Sequence, residues 1–303
     1  MTVTILVGDT RTRLNDLPDA SVQCCVTSPP YFNLRDYGVS GQIGLEPTLA
    51  EYLAAMVEVF RGVRRVLCDD GTLWLNIGSS YGTNKCDLMV PARVALALID
   101  DGWILRSDII WGKTAPMPES VTDRPTSAHE HIFLLTKSAR YYYDADAVRT
   151  PSVETEMTGG PRKNPDRRPS RGVEGGGSDR VAYRERGHSR RHAGFNDRWD
   201  AMSRKEQQAN GANLRNVWML GPDPFAGAHF AVMPREIPRR CIKAGSKPGD
   251  MILDPFGGSG TTGLVADELG RDCTLIELNS AYAELSRERI FGSAPLLAEV
   301  MVS

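Results

Sequence analysis

Residues 254–263, which read DPFGGSGTTG, decide the fold. They join a short apolar run that ends at Asp254 to a segment with a helical pattern. Residues 258–263 fit the pattern G-x-G-x-x-G, and Glu277 follows Gly258 by 19 residues at the end of the next predicted strand. In α/β sheets such a loop lets a ligand approach the backbone closely, and the acid binds a ribose. Because no lysine follows the glycines, this is not a phosphate-binding Walker loop.

The carboxylate directly before the loop favours a ligand with a cationic amino group. The charge of Asp254 would repel the pyrophosphate of a dinucleotide, but it attracts an ammonium group. S-adenosylmethionine carries such an ammonium group, together with a ribose and no phosphate. The residues therefore favour this ligand and leave a nicotinamide dinucleotide as the formal alternative.

Outward from the loop, apolar runs and helical patterns alternate along the chain. Strands are predicted at 2–7, 22–27, 71–77, 104–111, 131–136, 251–253 and 272–277, and helices at 47–67, 91–99, 261–269 and 280–290. This alternation indicates an α/β fold with a mostly parallel sheet that is covered on both faces. Ligands of such sheets bind at the carboxyl ends of the strands, so the site is expected in the loops that follow them.

A second motif, residues 27–31 (TSPPY), closes the predicted strand 22–27. Its two prolines fix φ and lack backbone donors, so the carbonyl groups of Ser28 and Pro29 are hard to pair internally. With the Ser28 hydroxyl they form an acceptor cluster for the hydrogens of an amino group, and Tyr31 offers a flat face for a base. An amino nitrogen conjugated to a ring is a poor nucleophile. Acceptors that draw its hydrogens out of the ring plane free its lone pair to attack an electrophile.

The stretch between the two motifs has a different composition. Residues 151–216 hold 14 Lys and Arg against 9 Asp and Glu, whereas the whole chain has a net charge of −2. The same stretch is rich in glycine and proline and has little apolar periodicity. It is either a mobile insert or a surface that orders on a polyanion, and composition alone leaves both open.

Composition also excludes several classes of protein. The 303 residues are 41% hydrophobic and 24% charged, which is ordinary for a globular chain. No apolar run reaches the roughly 18–20 residues that a membrane helix needs, and residues 1–8 are not typical of a secretory signal. The six cysteines form no C-x-x-C pair, so neither a disulfide scaffold nor a zinc finger is supported. We expect a cytoplasmic enzyme without a membrane partner.

The two motifs in this order resemble the β group of DNA amino-methyltransferases, which modify the exocyclic nitrogen of cytosine or adenine. In that group the catalytic motif precedes the cofactor loop, and a variable basic segment lies between them. The resemblance covers roughly 1–145 and 216–291. It implies a circularly permuted, seven-stranded methyltransferase sheet and S-adenosyl-L-methionine as cofactor. It also implies three segments: a catalytic half at 1–145, a target-recognition insert at 146–216 and a cofactor-binding half at 217–303.

The family pattern assigns candidate site residues. The segment before the loop usually reads H-P-A-x-F-P, from which Phe230 and Met233 depart. By the resemblance, Glu277 holds the ribose hydroxyls and Asp9 lies near the adenine ring. The candidate catalytic residues are Ser28, Pro29, Pro30 and Tyr31, and the candidate cofactor-binding residues are Asp9, Thr27, His229, Asp254, Phe256, Gly258, Ser259, Gly260, Thr261 and Glu277. The candidate DNA-binding residues of the insert are Arg162, Lys163, Arg167, Arg168 and Arg171.

The implied reaction is direct methyl transfer to a base in double-stranded DNA, with no covalent enzyme intermediate and no metal. The target base must leave the duplex, because its amino group is inaccessible in the stack. In the family, a serine at the first motif position associates mostly with cytosine N4 and an aspartate with adenine N6. Ser28 therefore favours N4-methylcytosine, with N6-adenine methylation as the alternative. The resemblance implies a prokaryotic or phage-encoded enzyme at the nucleoid, and it leaves open a homodimer and a separately acting restriction endonuclease.

Four other functions fit less well. A C5-cytosine methyltransferase needs a Pro-Cys nucleophile, which the sequence lacks, and Cys24 and Cys25 lie inside a predicted strand. An NAD-dependent dehydrogenase has no use for the acceptor turn. A non-catalytic nucleic-acid-binding protein could own the basic insert, but it would not need both ligand motifs. RNA and protein amide methyltransferases typically have the cofactor loop first, so the motif order disfavours them.

Overall fold

Nine strands form one sheet in the computed structural model, which describes residues 1–150, 211–223, 233–293 and 299–302. The strands are β1 Thr2–Val7, β2 Val22–Thr27, β3 Leu67–Ile77, β4 Ile104–Lys113, β5 His129–Thr136, β6 Val217–Leu220, β7 Met251–Asp254, β8 Asp272–Glu277 and β9 Glu299–Val302. In space they follow the order β6-β4-β5-β3-β2-β7-β8-β1-β9. Of these, β5 runs antiparallel to both of its neighbours, and the other pairs are parallel. The predicted mostly parallel α/β sheet is confirmed.

Six helices connect these strands in the described ranges: α1 Thr10–Arg13, α2 Leu49–Val66, α3 Val90–Asp100, α4 Glu236–Gly245, α5 Thr261–Glu268 and α6 Ser280–Ser293. Helix α2 begins at a capping box, in which Thr48 and Glu51 each bond the other's backbone N–H. Its buried face, which includes Tyr52, Met56 and Phe60, joins residues of β2, β3 and α3 in the main core. None of these helices is long and apolar enough to cross a bilayer.

The predicted number of seven strands needs a correction. The seven predicted strands are the inner ones, from β4 to β1 in the spatial order, and β6 and β9 add one strand at each edge. Both edge strands have only four residues, which is too short for a periodic pattern to stand out. Strand β7 is equally short, but the glycine motif that follows it marks its end, and no such motif follows β6 or β9. Helix α4 was also missed, because Pro238 interrupts its helical pattern within the first turn.

Most of the described residues belong to one compact unit, formed by 1–148 and 215–303. Residues 149–214 belong to a second unit, of which the structure describes 149–150 and 211–214. There the backbones of Thr150 and Ala212 pair in an antiparallel bridge, with N–H···O distances of 2.9 and 2.8 Å. The target-recognition role and the limits of the segment 146–216 stay predictions.

The carboxyl ends of the parallel strands meet at one edge of the sheet. There β2 ends at Thr27, β3 at Ile77, β7 at Asp254 and β8 at Glu277, and the antiparallel β5 begins at His129. From β2 the chain continues to its neighbour β3 on one side, and from β7 to its neighbour β8 on the other. The crevice between β2 and β7 is therefore the point at which strand order reverses, where open α/β sheets bind their ligands.

Candidate functional site

A cleft of about 830 Å³ opens at this edge of the sheet. Five buried side-chain polar atoms have no hydrogen-bond partner in the described ranges, and three of them belong to residues of the cleft wall: Thr10 Oγ1, Asn76 Oδ1 and Ser80 Oγ. A buried polar atom without a partner is costly and therefore rare. The wall thus contains hydrogen-bonding atoms that none of the described residues pairs with.

The glycine loop passes from β7 to α5 along one side of the cleft. Gly258 and Gly260 adopt positive φ values of 50° and 76°, which glycine tolerates at little cost. Gly260 is the N-cap of α5, and a Cβ there would lie 2.9 Å from Cβ of Ser286. The first and second glycines of the motif therefore serve the turn and the packing of α5 against α6.

Asp254 is almost fully buried at the end of β7. Its Oδ1 accepts hydrogen bonds from the Thr27 hydroxyl at 2.6 Å and from the Phe256 N–H at 3.0 Å, and its Oδ2 accepts one from the Thr262 hydroxyl at 2.7 Å. Burial raises the pKa of Asp254 above its ordinary value, and these donors oppose the rise. Three of about four acceptor positions are filled, so the carboxylate keeps one for a cationic ligand group.

Glu277 holds the equivalent place at the end of β8. Its two oxygens accept backbone N–H groups of Gly258 at 2.7 Å and Asn279 at 2.8 Å. Burial raises the pKa of Glu277, and the two backbone donors act against that rise. One lone pair remains on each oxygen, an arrangement that suits two neighbouring hydroxyl groups.

Asp9 follows β1 and lines the cleft on the far side of Glu277's strand. Its Oδ1 accepts from the backbone N–H of Arg11 at 2.8 Å, which caps α1, and from the Arg11 Nε at 3.0 Å. The hydrogen bond from the Arg11 side chain lowers the pKa of Asp9. The carboxylate is thus ionised and already paired, whereas the Thr10 hydroxyl beside it has no partner among the residues that the structure describes.

An arginine of α6 donates hydrogen bonds to the glycine loop. Arg289 Nη1 donates to the carbonyl oxygen of Ser259 at 2.9 Å, to the Ser259 hydroxyl at 3.0 Å and to the Thr261 hydroxyl at 2.9 Å. Both hydroxyl residues are nearly fully buried. Their conformation is therefore fixed before a ligand arrives.

A polar network lies on the other side of the cleft, around the TSPPY turn. The Tyr31 hydroxyl donates to Glu130 Oε2 at 2.6 Å, and Ser28 Oγ lies 3.3 Å from the Tyr31 oxygen. Asn76 Nδ2 lies 2.9 Å from Glu130 Oε2, 3.0 Å from the Tyr31 oxygen and 3.3 Å from Ser28 Oγ. Lys113 Nζ pairs with Glu130 Oε1 at 2.7 Å. The carboxylate next to Nδ2 fixes the amide orientation of Asn76, since an amide oxygen in that place would face an anion.

Tyr31 stays protonated in this network. Burial, and then the Glu130 carboxylate, raise the pKa of Tyr31 well above its usual range. Its hydroxyl therefore acts as a donor to Glu130, and its ring forms part of the cleft wall.

The backbone of the turn presents acceptors. Among the described residues, no donor reaches the carbonyl oxygens of Ser28 and Pro29, whereas the Pro30 carbonyl accepts from the Tyr52 hydroxyl at 2.9 Å. The hydroxyl of the same Ser28 lies 3.3 Å from Asn76 Nδ2, so the Asn76 amide, whose Oδ1 has no partner among the described residues, is close to the turn. Together they make one side of the cleft a cluster of acceptors.

Most of the candidate residues lie on the wall of this one cleft: Asp9, Ser28, Pro29, Pro30, Tyr31, Asp254, Phe256, Gly258, Ser259, Thr261 and Glu277. Thr27 and Gly260 lie beneath the wall, where Thr27 bonds Asp254 and Gly260 caps α5. His229 and the insert candidates Arg162, Lys163, Arg167, Arg168 and Arg171 lie outside the described residues.

The sequence analysis missed Asn76, Lys113, Glu130 and Arg289. It also missed Gly78, at which an added Cβ would lie 2.8 Å from Tyr31 Cε2. Asn76 carried a signal, because it is the one polar residue in the run LWLNI at the end of a predicted strand. No signal in the sequence marked Glu130 as a site residue. It comes 99 residues after Tyr31 and contacts it only because β5 runs antiparallel to β3.

Three comparisons with known proteins bear on this site. A family model described as DNA methylase, of the N6/N4 type, matches residues 22–288. The type II methyltransferase M.SmaI of Serratia marcescens is 41% identical over 94% of this chain and 90% of that protein. The protein TTHA0409 of Thermus thermophilus, solved in complex with S-adenosyl-L-methionine, is 25% identical with a TM-score of 0.61, and the match covers 98% of this chain and 99% of that one.

The fold has a further counterpart in the PvuII DNA methyltransferase, described as cytosine-N4-specific. It is 18% identical with a TM-score of 0.66, over 99% of this chain and 95% of that one. At this identity the likeness speaks for the fold alone, and it agrees with the mostly parallel sheet. The extent of the family match and the 41% identity decide the family. The chain belongs to the N6/N4 DNA methylase family of β-group amino-methyltransferases, as its motif order predicted, and it is a DNA methyltransferase.

Proposed function

We propose that this chain transfers a methyl group to the exocyclic N4 of cytosine in duplex DNA, as a type II modification enzyme of a restriction–modification system. One observation carries the proposal. In the described ranges, one cleft holds a cluster of hydrogen-bond acceptors together with the buried carboxylate of Asp254 and the half-buried carboxylate of Glu277. The acceptors are Ser28 Oγ, the carbonyl oxygens of Ser28 and Pro29, and Asn76 Oδ1. Hydrogen-bond acceptors can bind the hydrogens of an amino group on a base. Carboxylates can bind the cationic group and the ribose hydroxyls of a cofactor.

S-adenosyl-L-methionine is the cofactor of this methyltransferase family, and it supplies an electrophilic methyl carbon on a sulfonium. The described residues fit it. Asp254 has one free acceptor position for the ammonium group, Glu277 has two for the ribose hydroxyls, and the orphaned Thr10 hydroxyl can serve the adenine end. A nicotinamide dinucleotide fits less well, because the buried Asp254 would face its pyrophosphate.

The base side of the cleft prepares the nucleophile. Ser28 Oγ and the neighbouring carbonyls accept the amino hydrogens, which turns the nitrogen lone pair out of the ring plane. Glu130 holds the Tyr31 hydroxyl and the Asn76 amide, so both side chains are placed before the base enters. Catalysis by this set rests on orientation rather than on a covalent intermediate. A base in a duplex can reach these groups only after extrusion from the stack.

The choice of cytosine over adenine rests on Ser28, since the resemblance associates serine at this position with N4 methylation. The test is nucleoside mass spectrometry of unmethylated plasmid DNA after incubation with the purified chain and S-adenosylmethionine. N4-methylcytosine is the expected product. N6-methyladenine as the sole product would reverse the choice, and no methylated base would contradict the activity.

We expect a substitution at Gly78 to lower the turnover, because Gly78 lies against the ring of Tyr31. A Cβ at Gly78 would lie 2.8 Å from Tyr31 Cε2, and the ring cannot retreat freely while its hydroxyl is bound to Glu130. Displacing a catalytic group by about 1 Å can cost about 10²-fold in rate. Gly78→Ala should therefore lower the turnover about 10- to 100-fold, as followed by transfer of tritiated methyl groups to DNA.

The control for this substitution is Gly292→Ala in α6, where an added Cβ meets nothing within 4 Å. Its turnover should equal that of the unmodified protein. Cofactor affinity should be unchanged in both variants, because neither glycine touches the cofactor loop. If Gly78→Ala kept full turnover, the placement of Tyr31 would not limit the reaction.

A further inference from the structure

The β4–β5 loop, residues 114–128, forms one rim of the cleft and is held in place by polar contacts. Glu119 Oε2 accepts from Arg124 Nη1 at 2.7 Å and from the Ser127 N–H at 3.3 Å. The guanidinium of Arg124 also lies 4.1 Å above the ring of Tyr81. The loop is therefore tied both to itself and to the loop that follows β3.

This anchored loop displays an apolar side chain to solvent. Met117 is 84% exposed, which is the highest value among the large apolar side chains in the described ranges, and it lines the cleft. Pro116 and Pro118 flank it and fix the backbone φ on either side. The neighbouring contacts explain the shape of the loop, but nothing in the described ranges covers the methionine.

We propose that Met117 enters the DNA stack and fills the space that the extruded target base leaves, a role that rests on the base extrusion of the proposed function. Extrusion breaks stacking on both sides of the target base and leaves a hole with apolar walls. An apolar side chain that wedges between bases restores part of the lost contact. A methionine suits this task, because it is long, unbranched and polarisable and adapts to an irregular gap.

The position of Met117 fits this role better than those of the other exposed large apolar residues on the wall, Leu34 and Tyr81. Tyr81 already lies under the guanidinium of Arg124. Leu34 is 52% exposed and lies in the loop after the TSPPY turn, directly behind the positive-φ residue Asn33. Met117 sits in the loop that leads to Glu130, the partner of Tyr31, so a wedge there is linked by a short stretch of chain to the base pocket. A loop whose backbone is already fixed loses little entropy when it inserts.

The experiment compares two DNA duplexes that carry the methylated sequence, which is first mapped on a plasmid. In one duplex the target base is paired, and in the other it faces an abasic position. The second duplex needs no pairing to be broken, so it depends less on a wedge. The variants are Met117→Ala, Met117→Leu, Leu34→Ala and, as a control of equal type away from the cleft, Leu96→Ala, which is 60% exposed on α3.

We expect Met117→Ala to lower methylation of the paired duplex about ten-fold or more, and of the abasic duplex less than about three-fold. Met117→Leu should restore most of the rate, and Leu96→Ala should change neither substrate. In Met117→Ala, the fluorescence of 2-aminopurine at the target position should fall, because fewer bases are extruded.

An equal loss on both duplexes would make Met117 an ordinary DNA contact and overturn the proposal, as would no loss on either. If Leu34→Ala alone lowered methylation of the paired duplex selectively, Leu34 would be the wedge, and the proposal for Met117 would also be overturned. Failure of the proposed function is a separate result, because the unmodified protein would then methylate neither duplex. Calorimetry with the cofactor confirms that each variant is folded.

Discussion

Tyr31→Ala should lower the turnover of DNA methylation by about two to three orders of magnitude, with little change in cofactor affinity. The ring is part of the cleft wall, and its hydroxyl links Ser28, Asn76 and Glu130. Alanine removes both the stacking face and the centre of this network. The carboxylates of Asp254 and Glu277, which we propose bind the cofactor, keep all their hydrogen-bond partners.

The conservative variant Tyr31→Phe separates the two roles. It keeps the ring but leaves Glu130 Oε2 with Asn76 as its remaining partner from this network, so we expect an intermediate loss of about ten-fold. Both are measured as single-turnover rates with saturating cofactor, and Tyr141→Ala, on the surface next to Arg106, serves as the control. If Tyr31→Phe lost as much as Tyr31→Ala, the hydroxyl rather than the ring would carry the effect. Full activity of Tyr31→Ala would contradict both roles.

The inner sheet could be predicted because each of its strands has a local signal. The runs at 2–7, 22–27 and 272–277 have the observed limits, since turn residues lie at or near their ends, such as Gly8 after the first run, Ser28 after the second and Gly270 before the third. Edge strands lack this advantage. Four residues such as Val217–Leu220 become a strand only because β4 already lies beside them, and no property of the four residues alone requires it.

That the glycine loop and Glu277 lie on one cleft wall could likewise be predicted, because they belong to one motif and the strand that follows it. The base side could be predicted only in part. The TSPPY turn is local, but Asn76, Lys113 and Glu130 come from three other strands and meet at Tyr31 through sheet pairing. Such a network depends on the order and the direction of the strands, and a short sequence motif predicts neither.

Asp254→Asn should weaken cofactor binding about 10- to 150-fold, because hydrogen bonds to charged groups contribute about 1.5–3 kcal/mol each. The same substitution should leave the protein equally stable or more stable at neutral pH. Burial raises the pKa of Asp254 above its ordinary value of 3.8, so the ionised form is disfavoured in the folded state. Folding stability therefore falls as pH rises from 3.8 through the raised pKa, and the asparagine variant lacks this loss. A residue kept only for packing would not lower stability in this way.

The pH dependence of binding has the opposite sign and makes the test specific. A cationic ligand needs the ionised carboxylate, so cofactor affinity should fall as pH falls through the raised pKa of Asp254, at pH values above 3.8. Calorimetric titrations across this range should show a steep decline in the unmodified protein and a shallower one in Asp254→Asn, in which Glu277 still titrates. Asp272→Asn, at the start of β8 and bonded to the N–H of Thr2, is the matched control and should retain the affinity of the unmodified protein. If Asp254→Asn bound the cofactor with unchanged affinity and pH profile, the buried carboxylate would serve the loop alone, and another group would have to hold the ammonium.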